Sequence, residues 1–184
     1  AFGLNQDASG FESYIRKYST SRRGEQIYGY MALAALSKRD YASAVEAYDN
    51  IDVLDADMRG NYMKANFLRG IQLMQSGAYR DAVPCLRAAS FYQSKNDRFN
   101  QLSRYWLAEC YYKSGNFSEA EKIYTDLYNL LALDNQQEGR LLSYNLAYSQ
   151  YRQNDFASAA KWFDKYLTSG NQTFRSDALL RRAD

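Results

Sequence analysis

The chain contains no histidine, one proline, two cysteines and no long apolar run, and each shortage closes off a class of function. Without histidine the commonest general base is missing, as are the commonest metal ligand and every Ser-His or Cys-His nucleophile pair. Cys85 and Cys110 are too few for a disulfide framework and lack the CxxC spacing of a zinc or redox site, which leaves them as small buried hydrophobes. The longest aliphatic stretch, Met31 to Leu36, is far short of the roughly 20 residues that a spanning helix needs. Neither charge sign dominates, with 23 Lys and Arg against 21 Asp and Glu, so no net field favours nucleic acid or an anionic membrane. No GxGxxG or GxxxxGK[ST] is present to cradle a phosphate. No catalytic residue, cofactor or metal is expected from these residues.

What is present is apolar periodicity. With 184 residues and 46% hydrophobic content, the chain can bury an extended core. The stretch 101–131 reads as two amphipathic helices joined by Gly115-Asn116. Leu107, Ala108 and Tyr111 share a face of the first, and Phe117, Ala120, Tyr124 and Leu127 share a face of the second. That helical hairpin recurs. The aromatics after each turn, Tyr41, Tyr79, Phe117 and Phe156, follow one another at 38, 38 and 39 residues, and Ala44, Ala82, Ala120 and Ala159 keep the same intervals. Helices about 8 to 10 Å apart need small residues where their backbones approach, which explains the alanines, and the aromatics fill the space beside them.

Taken in order, 1–24 holds the second helix of an incomplete repeat, with Phe11, Tyr14, Ile15 and Tyr18 at i, i+3, i+4 and i+7. Four repeats follow at 25–59, 60–98, 99–137 and 138–171, and 172–184 opens another first helix in which Leu179 and Leu180 lack a partner. Apolar patterning places the first helices from Glu25, about Tyr62, about 101 and about Leu141. Asp40 is expected to cap the second helix of hairpin one, Gly70 to mark a close approach, and Gly77 to sit in a turn. Pro84 falls inside a second helix, where a kink or a late start is expected. Neither end shows a polar cap, so the segment is expected to be excised from a longer array and to self-associate end to end.

The pattern of a small residue, a Gly/Asn-Asp/Asn-aromatic turn and then aromatic-x-x-Ala-x-x-x-aromatic resembles the tetratricopeptide repeat. YWLAECYYKSGNFSEAEKIY and YNLAYSQYRQNDFASAAKWF match best, and the resemblance covers nearly the whole chain. It implies an all-α, right-handed α-solenoid that acts as a non-catalytic interaction scaffold. These repeats are similar to those of bacterial periplasmic and outer-membrane-associated proteins, including lipoproteins of Bacteroidetes, which implies an exported envelope protein; the alternative is a docking region of a cytoplasmic kinase or transcription regulator. Two departures stand out: the period exceeds the usual ~34 residues, and no proline closes the second helices. The extra residues imply longer inter-repeat loops or an added helical turn. The family's carboxylate clamp of Lys and Asn cannot be assembled from the inward positions Gly29 and Leu33, Phe67 and Ile71, Tyr105 and Glu109, and Tyr144 and Tyr148.

Two weaker signals reduce to structure. Residues 55–60 echo a calcium loop, but at two ligand positions Arg59 cannot coordinate a cation and Asn66 gives one oxygen where two are needed, so this segment reads as a solvated inter-repeat loop. Asn116-Phe-Ser matches a glycosylation sequon but reads better as a helix cap with Glu119 following. There remains an aromatic ladder on the first helices: Phe67, Ile71 and Met74, then Tyr105 and Tyr112, then Tyr144, Tyr148 and Tyr151. Either the superhelix fills its own groove with these rings or the groove holds a partner. In the second case the partner is a protein or peptide, not a nucleic acid or a small-molecule substrate. The binding residues are then Tyr105, Glu109, Tyr112, Lys113, Tyr144, Tyr148, Tyr151 and Arg152, where aromatic faces combine with both charge signs.

Overall fold

The computed structural model describes residues 22–131, 133 and 136–183, together with Ser13. The stripe expected at Phe11, Tyr14, Ile15 and Tyr18 lies outside the described residues. Among the described residues there are nine α-helices and no strand: α1 Arg22–Ser37, α2 Tyr41–Asp49, α3 Ala56–Gln75, α4 Tyr79–Ala89, α5 Arg98–Lys113, α6 Phe117–Asn129, α7 Gln137–Tyr151, α8 Phe156–Thr168 and α9 Arg175–Ala183. Each packs on the next in sequence, and the first helix of each hairpin also touches the first helix of the following one. This nearest-neighbour pattern is an all-α helical-repeat solenoid.

The repeat is visible in the backbone. In each hairpin turn one residue takes the left-handed conformation: Arg39 at φ 60°, Gly77 at 79°, Gly115 at 87° and Asn154 at 65°. Glycine suits that slot because it has no Cβ to clash with the carbonyl. Two residues on, Tyr41, Tyr79, Phe117 and Phe156 each begin a second helix, so the four aromatics occupy equivalent turns. Capping differs between the turns. Asp40 and Asp155 accept from the backbone N–H of Ser43 and Ser158 at 3.2 and 3.1 Å, whereas Ala78 and Asn116 make no side-chain cap. Asn116 therefore does not play its expected capping role; its Nδ2 donates to Ser114 Oγ at 3.4 Å instead.

Ala44, Ala82, Ala120 and Ala159 are all buried, and one turn further on Tyr48, Leu86, Tyr124 and Phe163 bury their whole side chains. Each such large side chain stabilises the array by about 1.5–3 kcal/mol through apolar area removed from water. Gly70 sits where α3 meets α4, since a Cβ there would lie 2.6 Å from Leu86 Cγ. Cys110 is buried and Cys85 half-buried, both as free thiols. Burial pushes both thiols up, Cys110 to about 12, which makes them inert packing groups.

Several boundaries differ from the apolar pattern. The first helices start at Arg22, Ala56, Arg98 and Gln137, ahead of the starts expected at Glu25, Tyr62, 101 and Leu141. The cause at two of them is a polar cap. Asp55 accepts from Met58 N at 2.8 Å, and Asp97 accepts from Phe99 N at 2.8 Å and Asn100 N at 3.1 Å, so a solvated turn forms ahead of the buried face. Residues 55–60 are thus the capped start of α3, not a loop. Helix α4 is continuous through Pro84 and does not start late. Pro84 and Arg80 are both exposed, so water can serve the Arg80 carbonyl that the proline leaves without a donor. The long repeat period comes from the connections at 50–55, 90–97, 130–136 and 169–174, together with the long helix α3.

Candidate functional site

Residues 105, 109, 112 and 113 follow i, i+4, i+7 and i+8 along one face of α5, and 141, 144, 145 and 148 follow i, i+3, i+4 and i+7 along one face of α7. Between these two first helices lies a cavity of about 380 Å³. Tyr124 of α6 closes its floor, and Phe174, in the connection ahead of α9, forms a wall.

At the floor sits the Glu109 carboxylate, half-buried. Its Oε1 accepts from Tyr124 Oη at 2.5 Å and from Asn145 Nδ2 at 2.9 Å, and the same Asn145 nitrogen lies 3.1 Å from Tyr105 Oη. Burial pushes the Glu109 carboxyl above its ordinary range, while the bond from Tyr124, the Lys113 charge and the Tyr105 hydroxyl pull it back. Burial, reinforced by the Glu109 charge, holds the Tyr124 and Tyr105 phenols well above their usual value, so both stay protonated. No ion pair within 4.0 Å reaches Glu109 among the described residues.

A second carboxylate meets the groove from α9. Tyr144 Oη donates to Asp177 Oδ2 at 2.7 Å, Tyr148 Oη donates to the same oxygen, and Arg181 Nε lies 3.9 Å from Asp177 Oδ1. Phe174 stacks on the Tyr144 ring at 4.8 Å and 18°. Two rings of the ladder are therefore docked on the following helix by their hydroxyls and keep only part of their faces toward the cavity.

Six of the eight residues singled out in the sequence line this cavity: Tyr105, Glu109, Tyr112, Lys113, Tyr144 and Tyr148. Tyr105 is 5% exposed, Lys113 is exposed at the rim and the other four are half-buried. Tyr151 and Arg152 stand outside it. The Tyr151 ring lies 5.6 Å from the Arg181 guanidinium, and the Arg152 guanidinium sits 4.6 Å over the Phe117 ring. In hairpin two Phe67 packs against Phe99 at 5.2 Å and, with Met74, against the core cluster around Leu86 and Leu107, and neither lines this cavity. Sequence reasoning missed Trp106, Leu141, Asn145 and Phe174 and counted Tyr124 only as core. The available signal was Asn145, a polar residue at a position whose neighbours on both sides pack inward.

The fold and this lined cavity define a helical-repeat solenoid with an inner-surface recess. Two tetratricopeptide-repeat family models match, one over residues 73–137 and the other over 129–173. Together they cover more than half of the sequence, and the chain belongs to the tetratricopeptide-repeat family. A solved structure described as "MamA RS-1 ArsTM double mutant" aligns with 88% of this chain and 82% of its own at 19% identity and a TM-score of 0.51, a likeness of fold alone. No curated protein matches. Repeats of this family are generally non-catalytic and indicate a protein–protein interaction scaffold.

Proposed function

We propose that the scaffold binds an extended peptide or a segment of a protein partner along the inner surface of hairpins three and four. The observation that carries this reading is the cavity of about 380 Å³ between α5 and α7, walled by aromatic rings and floored by a hydrogen-bonded carboxylate. Its size falls in the range of about 300–1,000 Å³ in which binding recesses fix a ligand group by a few polar contacts. Tyrosine supplies a large rigid face with little conformational entropy to lose. The self-filling alternative is supported at Tyr105, which is buried in the core beside Tyr124, and at the α9 end, where Asp177 takes up the Tyr144 and Tyr148 hydroxyls.

The test is selection from a displayed peptide library against the purified chain. Selected peptides should lose about 1–3 kcal/mol of affinity on Tyr112→Ala, the scale of a central aromatic anchor, and keep their affinity on Tyr92→Ala, which alters a connection away from the cavity. Equal losses at the two positions, with unchanged melting curves, would remove the groove reading. The proposal also includes the bacterial envelope setting that the repeat resemblance implies. A lipoprotein leader in the full-length sequence supports it, and a fused kinase or DNA-binding domain replaces it with the cytoplasmic docking role. Exposed Leu179 and Leu180 support end-to-end association, so Leu180→Asp should shift the chain to later elution in gel filtration.

A further inference from the structure

Position 109 is where the repeat changes chemistry. Its counterparts in the other first helices are Leu33, Ile71 and Tyr148, so the hairpin packs perfectly well without a carboxylate there. Putting one in costs solvation, because a half-buried carboxylate loses water. The surroundings return only part of it. Tyr124 and Asn145 donate to Oε1, which orients the group, but both are neutral, and the only cation acting on it among the described residues, Lys113, does so from the rim without pairing. The cavity's own cation, Lys113, stands exposed at the rim and forms no ion pair with Glu109.

The walls point the same way. Tyr124, Tyr144 and Tyr148 turn their hydroxyls onto carboxylates, toward Glu109 in the first case and Asp177 in the others. Tyr124 is buried and Phe174 covers a face of Tyr144, so the ring surface left to a guest is that of the half-buried Trp106, Tyr112 and Tyr148. Trp106 stands edge-on to Tyr105 at 5.3 Å, so these two rings do not close over one another. Aromatic faces carry negative potential and attract cations within about 6 Å of the ring centre. An acidic guest would meet Glu109 and Asp177, and an apolar guest would seal an unpaired charge away from water.

The geometry points to the recess between α5, α6 and α7 as a seat for a cationic side chain of the bound peptide, an arginine or lysine whose charge pairs with Glu109 and whose stem lies against the aromatic walls. The inference rests on the peptide-groove reading for the source of that side chain. Its chemistry is independent of that source. Lys113 then acts as a same-charge residue at the entrance that weakens the guest it admits.

The test uses acetyl-arginine amide and acetyl-lysine amide as probes against the intact chain, with acetyl-citrulline amide and acetyl-glutamate amide as neutral and acidic controls. Trp106 fluorescence and calorimetry are the readouts. The basic probes should bind about tenfold or more tighter than citrulline, the scale of one desolvated charge contact. Glu109→Gln should erase that preference without lowering the melting temperature. Lys113→Gln should tighten the basic probes about two- to fivefold, a gain that misfolding cannot produce. Equal binding of citrulline and arginine, or an unchanged preference in Glu109→Gln, overturns the inference. Library peptides separate it from the groove reading. Peptides that bind at the cavity but need no basic residue sink the cation seat and keep the groove. Arginine binding with no peptide binding keeps the seat and sinks the groove, and loss of both ends both.

Discussion

Hairpins one and three share a skeleton and differ in what that skeleton holds. Tyr48 and Tyr124 are counterparts in the second helices, each 1% exposed, each one turn after a buried alanine. In hairpin three the Tyr124 hydroxyl finds Glu109. In hairpin one the counterpart of Glu109 is Leu33, and the buried Tyr48 hydroxyl has no hydrogen-bond partner among the described residues. Gly29, Leu33 and Tyr48 line a cavity of about 280 Å³, smaller than that at Tyr105, Glu109 and Tyr124, and no tyrosine takes the place of Tyr105. The repeat therefore dictates a large buried side chain at this depth, and where that side chain is a tyrosine one residue on the facing helix decides whether its polar tip is satisfied.

The comparison breaks or holds most visibly at the ring itself. Tyr48→Ala and Tyr124→Ala should each cost about 3–5 kcal/mol in urea unfolding, because both leave a ring-sized hole in a packed core. A large loss at one and a negligible loss at the other would show that the hairpins are not equivalent packing units. Removing only the hydroxyl should separate them. Tyr124→Phe deprives a half-buried carboxylate of a charge-assisted bond and should cost about 1–3 kcal/mol, whereas Tyr48→Phe discards an orphan and should be neutral or stabilising. Matching losses at the two sites would mean that Tyr48 has an acceptor in solution.

The turns sharpen the same contrast on a smaller scale. Arg39 holds a left-handed slot that Gly77 and Gly115 occupy in hairpins two and three. Arg39→Gly should stabilise by a few tenths to about 1 kcal/mol, the relieved Cβ clash exceeding the extra backbone entropy, and Gly115→Ala should cost about 1 kcal/mol. Thermal melts of both variants decide this.

The smallest effect is on pH dependence. Burial raises the folded-state pKa of Glu109, so between the ordinary glutamate value of 4.5 and that raised value the folded chain holds a proton that the unfolded chain releases. Stability from this group is complete below 4.5 and is lost as pH rises through the folded value. Glu109→Gln should therefore melt higher than the parent at neutral pH, with an advantage that shrinks toward pH 4.5. The caps run the other way. Hydrogen bonds from Ser43 and Ser158 lower the carboxyl pKa of Asp40 and Asp155, so their contribution is present above 3.8 and fades as pH falls through the lowered values. An Asp40→Ala, Asp155→Ala double variant should lose its deficit under acid conditions while the Glu109 difference closes.

Much of the fold was legible because packing imposes a period. Ala44, Ala82, Ala120 and Ala159 had to be small, and the turn aromatics had to recur in phase, wherever the helices touched. Less of the site was legible. The spacing of Tyr105, Glu109, Tyr112 and Lys113 places them on one face of α5, and Tyr144 and Tyr148 on one face of α7, but spacing within a helix carries no information about how far a side chain's tip lies from the next helix. Phe67 and Met74 had the same spacing and pack, half-buried, against the cluster around Leu86 and Leu107 without reaching this cavity.

The residue order by itself determined the helical hairpins, their register and the identity of the buried faces, since these follow from 3.6-residue periodicity and from backbone conformations that Gly77, Gly115 and Asn154 adopt locally. Only the packing of α6 on α5 decided that Tyr124, 15 residues away from Glu109, would meet its carboxylate, and only the stacking of the following helices decided that Asn145, 36 residues away, would join it and that Asp177 would take up the hydroxyls of Tyr144 and Tyr148. Those contacts depend on the angle and offset between helices, which are set by the sum of many side-chain volumes across an interface and are written in no single stretch of the chain.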